Sequence, residues 1–116
     1  MPPTSKSIEF VKGDTKQYEL QFKEDGAAVD ITDWTVYFTV KEHMEDADSA
    51  AKISISVSSF DDATSGKALI PLTVINTSID VGQYYYSFDY KDDEGNQGVL
   101  LEGRLTVRRK VLQTRT

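Results

Sequence analysis

Hydrophobic and polar residues alternate most regularly along residues 82–107. Nearly every second position of this segment is aromatic in its first half and aliphatic in its second half, which is the period of a β-strand. Residues 92–96, between the halves, are acidic residues, glycine and asparagine, which favour a turn. The pattern therefore predicts one long antiparallel hairpin, with Gly103 as a candidate bulge position. The residues expected on its inner face are Tyr84, Tyr86, Phe88, Tyr90, Val99, Leu101, Leu105 and Val107.

Shorter alternating segments before this hairpin predict further strands. Turn-forming residues at 13–14, 25–26 and 61–66 separate them. The acidic residues 42–51 predict one helical turn or an outward loop. Residues 73–80 predict a short helical or turn-like crossover, capped by a hydroxyl or amide side chain. The predicted strands lie near residues 8–10, 18–23, 34–41, 52–58 and 68–72.

About seven strands without a convincing amphipathic helix predict an all-β fold. Their spacing favours a two-sheet antiparallel immunoglobulin-like sandwich. We expect a single domain over residues 1–116, with residues 1–6 and 110–116 flexible. The residues expected between the two sheets are Tyr18, Phe22, Trp34, Phe38, Tyr84, Tyr86 and Phe88.

The chain contains no cysteine, so a disulfide framework, a thiolate nucleophile and the sulfur ligands of zinc are excluded. No apolar run approaches the roughly 20 residues of a membrane-spanning helix, and the N-terminal residues lack the hydrophobic segment of a signal peptide. We therefore expect a soluble protein that does not act at a membrane.

The formal net charge of −6 argues against a nucleic-acid partner, because phosphate contacts need a basic face. The charge is distributed unevenly, since residues 104–116 contain several arginines and one lysine but no acidic residue. Two interpretations of this basic tail stay open: it docks on an acidic neighbour, or it is a solvated arm that flanks a strand.

The titratable residues form no recognisable catalytic or metal motif. His43 is the only histidine and lies in an acidic loop, where a histidine is usually solvated. The acidic residues at 30 and 33, 61–62 and 92–94 lie in predicted turns, where aspartates accept hydrogen bonds from nearby backbone, and none has EF-hand spacing. We therefore predict no enzyme and no catalytic, cofactor-binding or metal site, with a carboxylate-dependent hydrolase as the enzymatic alternative.

Alternation places Tyr37, Leu69, Tyr85 and Leu100 on outer faces, away from the core. Such residues form a contact patch for another protein when they cluster, whereas single exposed apolar residues are ordinary. The sequence leaves both interpretations open.

Three parts of the sequence resemble a bacteriophage family. Residues 10–15 read Phe-Val-Lys-Gly-Asp-Thr, and residues 25–36 read Asp-Gly-Ala-Ala-Val-Asp-Ile-Thr-Asp-Trp-Thr-Val. The third part joins residues 65–68 and 81–86 to Leu-Leu-Glu-Gly-Arg-Leu-Thr-Val at residues 100–107. In order and spacing these parts resemble the immunoglobulin-like domain at the N-terminus of phage baseplate upper proteins, which also occurs in small prophage tail-associated proteins.

The resemblance implies a structural or accessory virion protein of a tailed bacteriophage. Such a protein anchors to, or spaces, other phage tail or baseplate proteins, and it assembles as a homo-oligomer. It would be made in the bacterial host cytoplasm and located in the virion tail. A C-terminal host-binding or fibre-attaching region has no counterpart after Val107, so receptor binding is not implied.

Contacts with such partners are expected from the outer faces, the edge strands and the basic tail. The candidate partner-interface residues are Tyr37, Tyr85, Arg108 and Arg109. The alternative hypothesis is a carbohydrate- or ligand-binding β-sandwich module, in which the exposed tyrosines stack on sugar rings.

Overall fold

The computed structural model describes residues 4–109 of the chain. It is mostly β, with 54% strand and 9% helix, which confirms the all-β prediction. In this part of the chain no helix has the length and apolar character needed to cross a bilayer. The strands of the described residues are β1 (Thr4–Ser5), β2 (Ile8–Val11), β3 (Lys16–Gln21), β4 (Lys23–Glu24), β5 (Ala27–Ala28), β6 (Thr35–Lys41), β7 (Ile53–Val57), β8 (Lys67–Leu72), β9 (Gly82–Lys91) and β10 (Gln97–Arg108).

Six of these strands form one mixed sheet in the order β7, β6, β9, β10, with both β1 and β2 along the far side of β10. The pairs from β7 to β10 are antiparallel, but β1 and β2 run parallel to β10. The prediction of purely antiparallel pairing is therefore wrong at this edge. Alternation reports which face a residue occupies, not the direction of the neighbouring strand. Two smaller antiparallel pairs, β3 with β8 and β4 with β5, lie outside the six-stranded sheet.

β9 and β10 form the long hairpin that alternation predicts. The Asp92 carboxylate closes its turn by accepting hydrogen bonds from the backbone N–H of Glu94 at 2.9 Å and of Asn96 at 2.8 Å. Gly95 supplies the positive φ of 88° that this turn needs. The inner face of β9 holds the buried rings of Tyr84, Tyr86 and Phe88.

The register of the hairpin shifts between Val99 and Leu101, so the extra residue is Leu100 and not Gly103. Beyond the shift Val99 pairs with Asp89 on the outer side of the sheet, rather than facing inward as predicted. Leu100 is half-buried against the core, rather than exposed on an outer face. Strand alternation could not locate this bulge, because an extra residue is defined only by its pairing with β9.

Gly103 is needed for the close approach of the N-terminal segment. It pairs with Tyr86, and a side chain at this position would collide with the backbone of Lys6. The Tyr86 hydroxyl donates a hydrogen bond to the Lys6 carbonyl, and the Lys6 N–H donates to the Glu102 carbonyl at 3.0 Å. The absence of a side chain at Gly103 thus lets the first strands pair with β10.

Residues 1–6 and 110–116 are predicted to be flexible. Within the first of these segments, Thr4–Ser5 pairs with β10. Residues 1–3 and 110–116 lie outside the described residues.

One hydrophobic core joins the six-stranded sheet to the β3–β8 pair. The Tyr18 ring on β3 contacts Phe38 on β6 and Phe88 on β9, with centroid distances of 6.0 and 5.7 Å. Phe38 and Phe88 stack on each other at 4.6 Å. Among the aromatic residues predicted for the core, Tyr18 and Trp34 are half-buried against it, and the other five are buried.

The crossover before β9 contains the short helix α1 (Val74–Thr77). Thr73 caps it, because Thr73 Oγ1 accepts from the Asn76 N–H at 3.4 Å and Asn76 Oδ1 accepts from the Thr73 N–H at 2.9 Å. The buried Thr77 hydroxyl donates to the Asp14 carbonyl at 2.7 Å, which fixes α1 against the turn that follows β2. The predicted capped crossover is confirmed.

Gly66 lies in a turn, has a left-handed backbone conformation and has no room for a side chain. Its φ is 72°, and an added Cβ would lie 2.6 Å from the Phe22 carbonyl oxygen and 2.7 Å from that of Val29. The Gly66 carbonyl also accepts a hydrogen bond from the Phe22 N–H at 2.7 Å, so the backbone cannot move away without losing this bond.

We expect Gly66→Ala to lower the free energy of unfolding by about 2 kcal/mol or more, because left-handed strain and the backbone collision add. Gly13→Ala is the matched control, since Gly13 has a φ of 84° but nothing within 4 Å of an added Cβ. The control should lose about 1 kcal/mol from the left-handed backbone alone. Urea denaturation measures both variants, and equal losses would contradict the steric argument.

The Tyr18 hydroxyl is buried without a hydrogen-bond partner among the described residues. Burial, reinforced by repulsion from Tyr86, raises the pKa of Tyr18 to about 12. The unfolded chain ionises its tyrosines near pH 10, so the unfolded state loses its proton first as the pH rises. The stability that depends on neutral Tyr18 is therefore present below about pH 10 and is lost between about pH 10 and 12.

We expect Tyr18→Phe to reduce this alkaline loss of stability, because phenylalanine has no proton to release. At neutral pH the variant should be as stable as the wild type or slightly more stable, since the lost hydroxyl makes no hydrogen bond. Urea denaturation at several pH values between 7 and about 11 measures both effects, with Tyr37→Phe as an exposed control. An unchanged alkaline slope would contradict the assignment to Tyr18.

Candidate functional site

The face of the six-stranded sheet opposite the core is the candidate functional site, here called the outer face. Alternate residues of β7, β6, β9 and β10 form it, and they align in rows across the strands. Serine and threonine, charged residues and two tyrosines make up most of this face. The rows are Ser56, Tyr37, Asp89 and Val99, then Ser54, Thr39, Ser87 and Glu102, then Lys41, Tyr85 and Arg104.

Tyr37 and Tyr85 both lie on this outer face, as alternation predicts. Tyr37 is 36% exposed on β6, and Tyr85 is half-buried on the adjacent strand β9. One row lies between them, and both line one open concavity of about 400 Å³, together with Thr39, Ser87 and Asp89. The exposed Met44, from the loop after β6, forms part of its rim. The two tyrosines therefore border a common surface.

Arg104 is fixed beside Tyr85 by three contacts. Its guanidinium lies 5.3 Å from the centroid of the Tyr85 ring, and its Nη2 donates to the Tyr85 hydroxyl at 3.2 Å. Its Nη1 donates to Gln83 Oε1 at 3.2 Å. The sequence identifies Arg104 only as the first residue of the basic tail. The signal that could have placed it is the hairpin register, which sets Arg104 directly opposite Tyr85.

Asp89 carries the one carboxylate oxygen among the described residues that is buried without a hydrogen-bond partner, Oδ1. The side chain lines the concavity between Tyr37 and Val99. A buried carboxylate oxygen without a donor is destabilising. Sequence alternation marks Asp89 only as an outward polar position, and it gives no signal for this missing donor.

The two candidate arginines lie away from the tyrosines. Arg108 is four positions beyond Arg104 on β10, and its Nη1 lies 3.4 Å from Glu9 Oε1 on β2. Arg109 is exposed after the end of β10. The structure thus brings Tyr37 and Tyr85 to one concavity but does not bring Arg108 and Arg109 to it.

The four residues that alternation places on outer faces do not cluster in one patch. Leu69 is 39% exposed but belongs to β8, outside the six-stranded sheet, and Leu100 packs against the core. Tyr37 and Tyr85 are the two of the four that share a surface. The sequence could not show this clustering, because it depends on the pairing of β6 with β9.

His43 and the turn acids have ordinary surroundings. His43 is exposed, with Nε2 4.0 Å from Glu42 Oε1, in a loop that contains a short 3-10 turn at Asp48–Ala50. Hydrogen bonds from the Thr32 hydroxyl and backbone N–H lower the pKa of Asp30, which is thus a turn acceptor. Among the side chains that the structure describes, which exclude that of Asp48, no three histidine, cysteine, aspartate or glutamate residues converge to hold a metal ion.

No model of a known protein family matches this sequence, and no curated protein is significantly similar to it. The likeness to the phage family consequently rests on the motifs quoted above. The outer face is the feature from which a function has to be inferred.

Proposed function

We propose that this chain is a structural or accessory virion protein of a tailed bacteriophage, associated with the tail or baseplate, whose outer face contacts other virion proteins. The observation that carries the proposal is the composition of this face, where Tyr37 and the Arg104–Tyr85 pair stand among serine, threonine and charged side chains. Tyrosine and arginine are enriched at protein interfaces and dominate their binding energy. Small neighbouring side chains let a partner approach these anchors closely.

We infer that the β3–β8 pair and the six-stranded sheet are the two layers of an immunoglobulin-like sandwich. The shared hydrophobic core and the contacts of Tyr18 with Phe38 and Phe88 support this arrangement. A sheet held by such a core loses little conformational entropy when its outer face binds a partner. Rigid modules of this kind suit tail structures, which repeat their subunits by symmetry.

Quantitative mass spectrometry of gradient-purified phage particles, released by the cells that encode the chain, tests this proposal. We expect peptides of the chain at a reproducible copy number relative to the major capsid and tail proteins. The double substitution Tyr37→Ala and Tyr85→Ala should lower this copy number, because both anchors leave the interface. Ile75→Ala is the control, since it removes an 85% exposed apolar side chain from α1.

Two results would count against the proposal. Absence of the chain from intact particles, with the protein abundant in the lysate, overturns the virion role. An unchanged copy number for the double tyrosine variant overturns the outer face as the contact surface.

A second candidate function is carbohydrate or ligand binding, and the concavity around Asp89 favours it. Tyr37 and Tyr85 border this concavity, where either ring could stack on a sugar. Asp89 also lines the concavity, and a carboxylate can accept hydrogen bonds from sugar hydroxyls.

This second function predicts saturable binding to a glycan array. Tyr37→Ala or Tyr85→Ala should abolish the binding, and Asp89→Asn should weaken it about tenfold, since a hydrogen bond to a charged group contributes roughly 1.5–3 kcal/mol. Leu69→Ala is the control, because Leu69 is exposed outside the six-stranded sheet. Equal binding by all four variants would exclude the concavity as the glycan site.

A further inference from the structure

β7 forms one edge of the six-stranded sheet and pairs, among the described strands, with β6 alone. Its pairing with β6 runs without a register shift from Ile53 to Val57. About half of the N–H and C=O groups of an edge strand point away from its neighbour. β7 therefore presents backbone donors and acceptors along this edge.

The other edge strands of four or more residues carry residues that discourage the addition of a further strand. Charged side chains and proline have this effect at sheet edges. β2 contains Glu9, β3 contains Lys16 and Glu19, and β8 contains Lys67 and Pro71. β7, in contrast, reads Ile-Ser-Ile-Ser-Val, without charge or proline. Among these longer edge strands it is the one most open to strand addition.

The sequence of β7 is complementary to itself. In an antiparallel pair of two β7 strands centred on Ile55, this residue faces its own copy, Ile53 faces Val57, and Ser54 faces Ser56. Apolar side chains then meet on the inner side and serines on the outer side. Ile55 and Val57 are only half-buried in the single chain, so this pairing would cover apolar surface that they expose.

We propose that two copies of this chain associate by antiparallel pairing of β7 with β7 about a twofold axis. The axis is perpendicular to the sheet, so the two six-stranded sheets continue into one another. Both outer faces then lie on the same side of the joined sheet, each with its own Tyr37. The pairing requires neither the virion role nor ligand binding, so it is tested separately from both.

Sedimentation velocity over a concentration series tests the pairing. The wild-type chain should show a monomer–dimer equilibrium. The pair Ser54→Lys and Ser56→Lys should weaken dimerisation about tenfold or more, because each lysine would face a lysine of the other copy. Ser54→Glu with Ser56→Glu should weaken it likewise. A mixture of the lysine and glutamate proteins should recover a heterodimer, because opposite charges then face each other.

The control is Ser5→Lys with Ser7→Lys, which adds the same two charges at exposed positions on the far side of the sheet. This control should dimerise like the wild type. Ser54 and Ser56 are also exposed, so their substitution leaves the core intact, and recovery of the heterodimer shows that both proteins are folded.

Three results overturn the proposal. The first is a wild-type chain that stays monomeric at its highest soluble concentration. This result overturns the proposal even if the β7 edge binds an extended peptide from another protein. The second is unchanged dimerisation of the lysine protein. The third is a mixture of lysine and glutamate proteins that forms no heterodimer.

Discussion

The stack of Phe38 on Phe88, covered by the ring of Tyr18, is the contact on which the rest of the structure depends. The chain has no cysteine, so the burial of such rings takes the part that a disulfide has in antibody domains. A fully buried phenylalanine contributes roughly 1.5–3 kcal/mol. The same contact determines the outer face, because the strand pleat turns Tyr37 and Asp89 outward when Phe38 and Phe88 turn inward. The same strand register therefore determines both the core and the candidate site.

The two edges of the six-stranded sheet are built in different ways. At the β10 edge, Gly103 makes room for the backbone of Lys6, and β1 and β2 cover the hydrogen-bonding groups of β10. At the β7 edge no described strand covers the backbone. The β10 edge is covered by the chain's own N-terminal strands, and the β7 edge has no charged residue. A further strand is therefore expected to add at the β7 edge.

The features that were predictable from sequence are those set by neighbouring residues along the chain. The aromatic alternation of β9, the Asp92 turn and the Thr73 cap all depend on local spacing, and the structure has each of them. The bulge at Leu100 and the parallel pairing of β2 depend on which strand lies alongside, and no local pattern records that. The candidate site divides in the same way. Alternation predicts that Tyr37 and Tyr85 face outward, whereas the contact of Arg104 with Tyr85 and the unpaired oxygen of Asp89 arise from register and packing.

The parallel pairing of β2 with β10 also has a mechanical consequence. Ile8 lies opposite Leu105 and Val11 opposite Arg108, so the chain enters β2 at one end of this pair and leaves β10 at the other. Tension applied between the two ends of the domain therefore pulls the strands along each other, and the hydrogen bonds between them bear the load together instead of opening one after another. In a particle whose parts transmit force, a domain connected in this way would resist extension as a stiff element.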